Sequence, residues 1–159
     1  MSRSGYDNDG DYEPWSHIMW RGQVASAIRG KRGQSFLREL VAALDAMPEK
    51  RLIAHNLIVS PADTYGPPPE WQFYRDIKAD SECGVCAIGA VGVKRGVNLY
   101  SLDPDNYNSI ADAFGIAPQL VQEIECINDD TWFGANTPEA RWQRVRDWAA
   151  ARIKDATSE

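Results

Sequence analysis

The chain has 159 residues, 43% of them hydrophobic, with a formal charge of −6. That is enough for one domain burying roughly 70% of its unfolded surface, without a metal or disulfide to staple it. No run of eighteen apolar residues is present, so no membrane-spanning helix is expected, and an acidic balance argues against bulk coating of nucleic acid. Three cysteines and an acidic, polar start with no signal-peptide pattern point to free thiols and a cytoplasmic location.

Residues 1–14 are rich in Gly, Asp, Asn and Ser and are expected to form a flexible lead-in. A first helix is expected from an N-cap at Ser16 to about Ile28, with Ile18, Val24 and Ile28 inward. Gly30-Lys31-Arg32-Gly33 interrupts it as a basic loop, because each glycine weakens helix by about 1 kcal/mol. A second helix follows over about 34–47, with Phe36, Leu37, Leu40, Val41 and Leu44 as its apolar stripe and Pro48 as its end.

Leu52–Val59 is short and apolar and fits strand or helix. Residues 59–82, with Pro67-Pro68-Pro69 and the aromatics Trp71, Phe73 and Tyr74, read as a loop excursion from the core. A short strand near 83–87 is expected to pair with 52–58, followed by one or two helical turns stopped at Gly96. Two helices at about 105–115 and 118–128 then form a helix-turn-helix pattern around Gly115, with Pro118 in a permitted first-turn position. Thr137-Pro138-Glu139 opens a last helix to about 154. On it Trp142, Val145, Trp148, Ala149 and Ile153 lie inward and Arg141, Arg144 and Arg152 outward. The expected architecture is a single compact, mainly α domain over 15–154, with a helix-turn-helix-like unit and a minor β-hairpin.

Charge is distributed unevenly. Residues 20–38 hold Arg21, Arg29, Lys31, Arg32 and Arg38 and no acid. Residues 97–130 hold seven acids (Asp103, Asp105, Asp112, Glu123, Glu125, Asp129, Asp130) and no Lys or Arg. The second helix of the helix-turn-helix pattern therefore offers Gln119, Gln122, Glu123 and Glu125 where a DNA reader would present cations, and a phosphate backbone would repel it. An ordinary packing motif is the expected reading. The basic block is the expected contact site, with Arg29, Lys31 and Arg32 at its centre and Arg21 and Arg38 extending it. Its plain alternative is a solvated loop, or a partner for the chain's own acidic segment.

Catalytic signals are sparse. Cys83-x2-Cys86 has the spacing of half a zinc site, and Cys126, His17 and His55 would have to complete it, but no second close pair exists. Cys86 lies in an apolar run and reads as a small buried hydrophobe, and His55 reads as a core-edge histidine. No phosphate-loop, dinucleotide-binding, nucleophile-elbow or zinc-protease motif is present. No cofactor, metal or catalytic residue is therefore expected, and a thiol- or metal-dependent activity at Cys83 and Cys86 ranks last.

The segments IRGKRGQSFLRELVAALDAMPEKRLIA, VCAIGAVGVKRGV, FGIAPQLVQEIECIND and TPEARWQRVRDW, in this order, resemble a family of short uncharacterised proteins encoded by bacteriophages and prophage-like regions. The resemblance spans most of 15–153 and is interrupted near 59–82. It implies a bacterial cytoplasm and an accessory role outside the virion, and it carries no activity or site residue. The expected function is binding of a host or phage macromolecule without catalysis, in one version as an inhibitor of a host defence system. A protein partner is favoured, with nucleic acid on the basic 20–38 block as the alternative and self-association as a third outcome.

Overall fold

The computed structural model describes residues 14–60, 83–130 and 136–155. The expected lead-in and excursion fall almost wholly outside these residues. Six helices, a short 3-10 turn and one two-stranded sheet follow in order: α1 (Pro14–Arg29), α2 (Lys31–Ala46), β1 (Ile58–Val59), β2 (Gly84–Val85), α3 (Ala87–Arg95), the 3-10 turn Leu99–Ser101, α4 (Tyr107–Phe114), α5 (Pro118–Asp129) and α6 (Pro138–Arg152). The mainly α class with a minor antiparallel hairpin is as the sequence suggests. The strands pair Ile58 with Val85 and Val59 with Gly84.

Helices α2, α3, α5 and α6 enclose the core, since α2 and α5 each pack against both α3 and α6. Phe36, Leu37, Leu40, Ile88, Val91, Leu120, Ile124 and Val145 meet there and are buried. Helix α1 lies across α2 and α5, and α4 flanks α5. The short α3 can occupy the middle because it is built from small residues. A Cβ at Gly89 would run into the carbonyl oxygen of Leu57, so the loop before β1 packs directly on the α3 backbone. Gly96 ends α3 in the left-handed conformation and Gly115 ends α4 in the same way, which gives the two stops that the sequence implies.

Other contacts lock the frame. The Gln34 amide donates to the carbonyls of Ile28 (2.8 Å) and Arg152 (2.9 Å) and accepts from the Lys154 amide (2.8 Å), tying the corner of α1 and α2 to the end of α6. Arg95 donates both to Glu39 (2.6 Å) and to the Phe114 carbonyl (3.1 Å), with its guanidinium over Phe36 and Phe114. The bond from Arg95 holds the Glu39 carboxyl below its ordinary value of 4.5.

One boundary differs in a way that matters. Helix α2 begins at Lys31, three residues before Gln34, and only Gly30 stands outside helix, with φ −65° and ψ 159°. The Gly30 amide still donates to Ser26 (3.1 Å), and its carbonyl already accepts from Gln34 (2.9 Å). The basic loop is therefore a sharp helix-helix corner. Gly33 sits in the first turn of α2 hard against the Ala27 carbonyl, where no side chain fits. Local propensity argued against helix at this glycine, and tertiary packing overrides it.

Candidate functional site

The corner places Lys31 and Arg32, both exposed, in the first turn of α2. Together with Gln23, Ser26 and Gly30 they line an open groove of about 580 Å³, whose far wall is Ala117 and Gln119 at the start of α5. The Gln119 amide reaches Gln23 (3.3 Å) across it. Neither helix start at this groove has a side-chain cap: Gly30 precedes α2 and Ala117 precedes α5. The first-turn amides of α2 thus add partial positive charge to that of Lys31 and Arg32.

The structure separates the five expected contacts. Lys31 and Arg32 line the groove, and Arg29 stands on the exposed side of α1 one residue before the corner. Arg21 lies eight positions earlier along the helix, about 12 Å away. Arg38 is drawn off toward the C-terminal end of the chain, where it donates to the Lys154 carbonyl (2.7 Å).

Most other cations are engaged within the fold. Arg51 pairs with Glu139, Arg95 with Glu39 and Arg146 with Asp45. Lys50 donates to the carbonyls of Asp45 and Met47 at the end of α2 and lies over the Trp142 ring. Arg141 and Arg144 were expected on the outer face of α6, yet they point into the structure. Arg141 is 9% exposed and donates to the Leu52 carbonyl (3.2 Å), while Arg144 donates to the Ile127 carbonyl (2.8 Å). Helix α6 is covered by both α2 and α5, so its polar face supplies donors to the covered backbone carbonyls of Leu52 and Ile127. Burial lowers the pKa of both guanidinium groups from the ordinary arginine range. By contrast, Arg21, Arg29, Lys31 and Arg32 form no ion pair among the described residues, and the acidic 97–130 segment does not neutralise them.

The helix-turn-helix pattern folds as expected, but its second helix is not available to a groove of DNA. Helix α5 contacts α1, α3, α4 and α6, and every residue from Ile124 to Asp129 is buried. Two of the seven acids, Glu125 and Asp129, are therefore interior groups and do not contribute to an outward acidic row.

Sequence reasoning missed the polar cluster that these acids form beneath the start of α3. Cys86 is the N-cap of α3: its sulfur accepts from the Gly89 amide (3.3 Å) and its thiol donates to Glu125 (3.5 Å). Asn128 accepts from the Ala87 amide (3.1 Å) and donates to the Ile53 carbonyl (2.9 Å) and to Asp129 (2.7 Å). Asp129 accepts from the His55 backbone amide (3.2 Å), and its other oxygen lies 3.6 Å from His55 Nδ1. His55 is not a core-edge residue. Its side chain is 69% exposed and its backbone has φ 68°, a left-handed conformation that the bond to Asp129 helps to hold.

The cluster fastens three chain segments together, and its geometry does not suit thiol chemistry. Cys86 is fully buried, and the carboxylate beside its thiol leaves no approach for a substrate. Cys83 precedes it through the extended pair Gly84–Val85, which puts their Cα atoms about 10 Å apart, beyond disulfide reach. Among the described residues no group of three or more His, Cys, Asp or Glu is arranged to hold a metal ion, and no helix is long and apolar enough to cross a membrane. The signal for the cluster was the Asn128-Asp129 pair closing an apolar helix, where two polar groups enter an inward face. The chain matches no protein-family model, and searches of curated proteins and of solved structures return no match.

Proposed function

We propose that this chain is a non-catalytic accessory protein of the phage type, and that it grips an acidic protein surface at the corner of α1 and α2. One observation carries the reading: the fold engages most of its other described cations internally but leaves Arg21, Arg29, Lys31 and Arg32 without an ion pair among the described residues. Exposed cations of that kind speed association and select partners. In the setting that the resemblance implies, the partner is a bacterial or phage protein, with a component of host defence among the candidates.

Nucleic acid is the competing occupant of the same corner. The packing of α5 against four neighbouring helices counts against it, because the helix-turn-helix unit then contributes no base contact. Affinity capture from bacterial lysate, before and after nuclease treatment and with wild type and the double variant Lys31→Glu/Arg32→Glu in parallel, tests the proposal. A stoichiometric protein held by wild type and lost with the double variant is the expected result. The same protein held by both, or nucleic acid as the only ligand before nuclease treatment, would overturn it.

A further inference from the structure

Among the described residues, helix α1 carries three large apolar side chains that stand exposed. Trp15 is 71%, Ile18 59% and Met19 63% exposed, whereas Val24 on the same helix is buried. At 100° per residue, Trp15, Met19, Gly22 and Ser26 fall within about 60° of one another around the axis, with Arg29 beside them and Val24 opposite. The apolar trio and the groove are therefore two ends of one exposed ridge. It runs about 21 Å from Trp15 to Arg29 and continues over the corner to Lys31 and Arg32. Its middle is low, because Gly22 has no side chain and a Cβ there would meet nothing within 4 Å.

The chemistry of the ridge selects its occupant. From Pro14 to Arg38 there is no acid, and Arg21, Arg29, Lys31, Arg32 and Arg38 are all cationic. Bare polyanion satisfies the corner but leaves Ile18 and Met19 in water, since base stacking uses aromatic rings. A lipid surface wants its apolar row and its cations side by side along the helix, and here they are set end to end. A second copy pairing α1 on α1 is mismatched in both orientations: parallel helices bring cations against cations, and antiparallel ones lay apolar ends on charged ends.

We propose that the ridge docks an acidic amphipathic helix of a partner protein along α1. The partner's apolar anchors sit on Trp15, Ile18 and Met19, and its carboxylates meet Arg29, Lys31 and Arg32. This rests on the reading that the corner takes an acidic protein, and it adds the second half of the footprint and the shape of the ligand. A helix of about fourteen residues matches the length of the ridge.

A displayed library of random 16-residue peptides, selected on the full chain, tests the proposal. Two comparison proteins are used: Trp15→Ser/Ile18→Ser/Met19→Ser and Lys31→Glu/Arg32→Glu. All five positions are exposed, and thermal melting confirms that each variant remains folded. The expected peptides carry apolar residues at helical spacing followed by a cluster of Asp or Glu, and they bind each variant at least tenfold more weakly. Peptides that bind the triple variant as well as wild type would overturn the ridge while leaving the corner reading intact. Peptides indifferent to Lys31→Glu/Arg32→Glu would overturn both. Enrichment of sequences without acids, or a wild-type dimer that the triple variant abolishes, would overturn the acidic partner helix in favour of another occupant.

Discussion

Replacing Asn128 by Ala is the sharpest test of how the polar cluster supports the fold. The side chain is fully buried and forms three hydrogen bonds, at 3.1 Å from the Ala87 amide, 2.9 Å to the Ile53 carbonyl and 2.7 Å to Asp129. Alanine removes all three. Asp129 keeps the His55 amide, so its loss is partial, but the Ala87 amide and the Ile53 carbonyl lose their side-chain partner. Each orphaned buried group costs about 1–3 kcal/mol, which puts the total for the two at roughly 2–6 kcal/mol. For a domain of this size that is a fall in Tm of about 4–24 °C. Asn128→Asp keeps an acceptor for the Ala87 amide but sets a second carboxyl against Asp129, and it should destabilise at least as much. Urea unfolding followed by tryptophan fluorescence, with thermal melting beside it, measures both variants. An Asn128→Ala protein within about 1 kcal/mol of wild type would refute the reasoning, because buried partners would then not depend on this amide.

Two glycines of the α1–α2 region should respond in opposite directions. Gly22→Ala fills open space on an exposed helix and should stabilise by about 0.5–1 kcal/mol. Gly33→Ala drives a methyl into the Ala27 carbonyl and should cost about 1–3 kcal/mol despite the better helix former, with chemical denaturation reading both. Because Glu39 titrates lower in the folded chain than its ordinary 4.5, its contribution is present above that value and is lost as pH falls through the lowered one. Glu39→Gln should therefore be less stable at neutral pH and show a shallower loss on acidification, measured as Tm against pH between 7 and about 3. An unchanged acid limb would mean that the bond from Arg95 contributes nothing to stability.

Much of the frame was legible because its signals are local. The stripe of Phe36, Leu37, Leu40 and Leu44, the Thr137-Pro138 start and the glycine stops at 96 and 115 each depend on neighbouring residues, and each element formed where they indicate. The start of α2 was misplaced because packing against Ala27 outweighs the poor propensity of Gly33, which a single chain does not reveal. Arg141 and Arg144 were put outside for a related reason. Helical periodicity shows one apolar stripe, but not that a second face would be covered and would need donors for the Leu52 and Ile127 carbonyls. Of the basic block, charge alone grouped five residues, whereas the fold keeps Lys31 and Arg32 at the groove and draws Arg38 away. The exposed Trp15, Ile18 and Met19 were legible only in part: Ile18 reads as inward until the position of α2 and α5 fixes which side of α1 is covered.

The account stands on an acidic protein meeting the corner at Lys31. Zero-length carbodiimide cross-linking of the captured complex, read by mass spectrometry, tests that contact at single-residue level. The predicted product joins the Lys31 amine to an Asp or Glu of the partner. Linkage through Lys50, Lys94 or Lys154 instead, or through Asp103, Asp105 or Asp112 to lysines of the partner, would contradict it by moving the contact to another face.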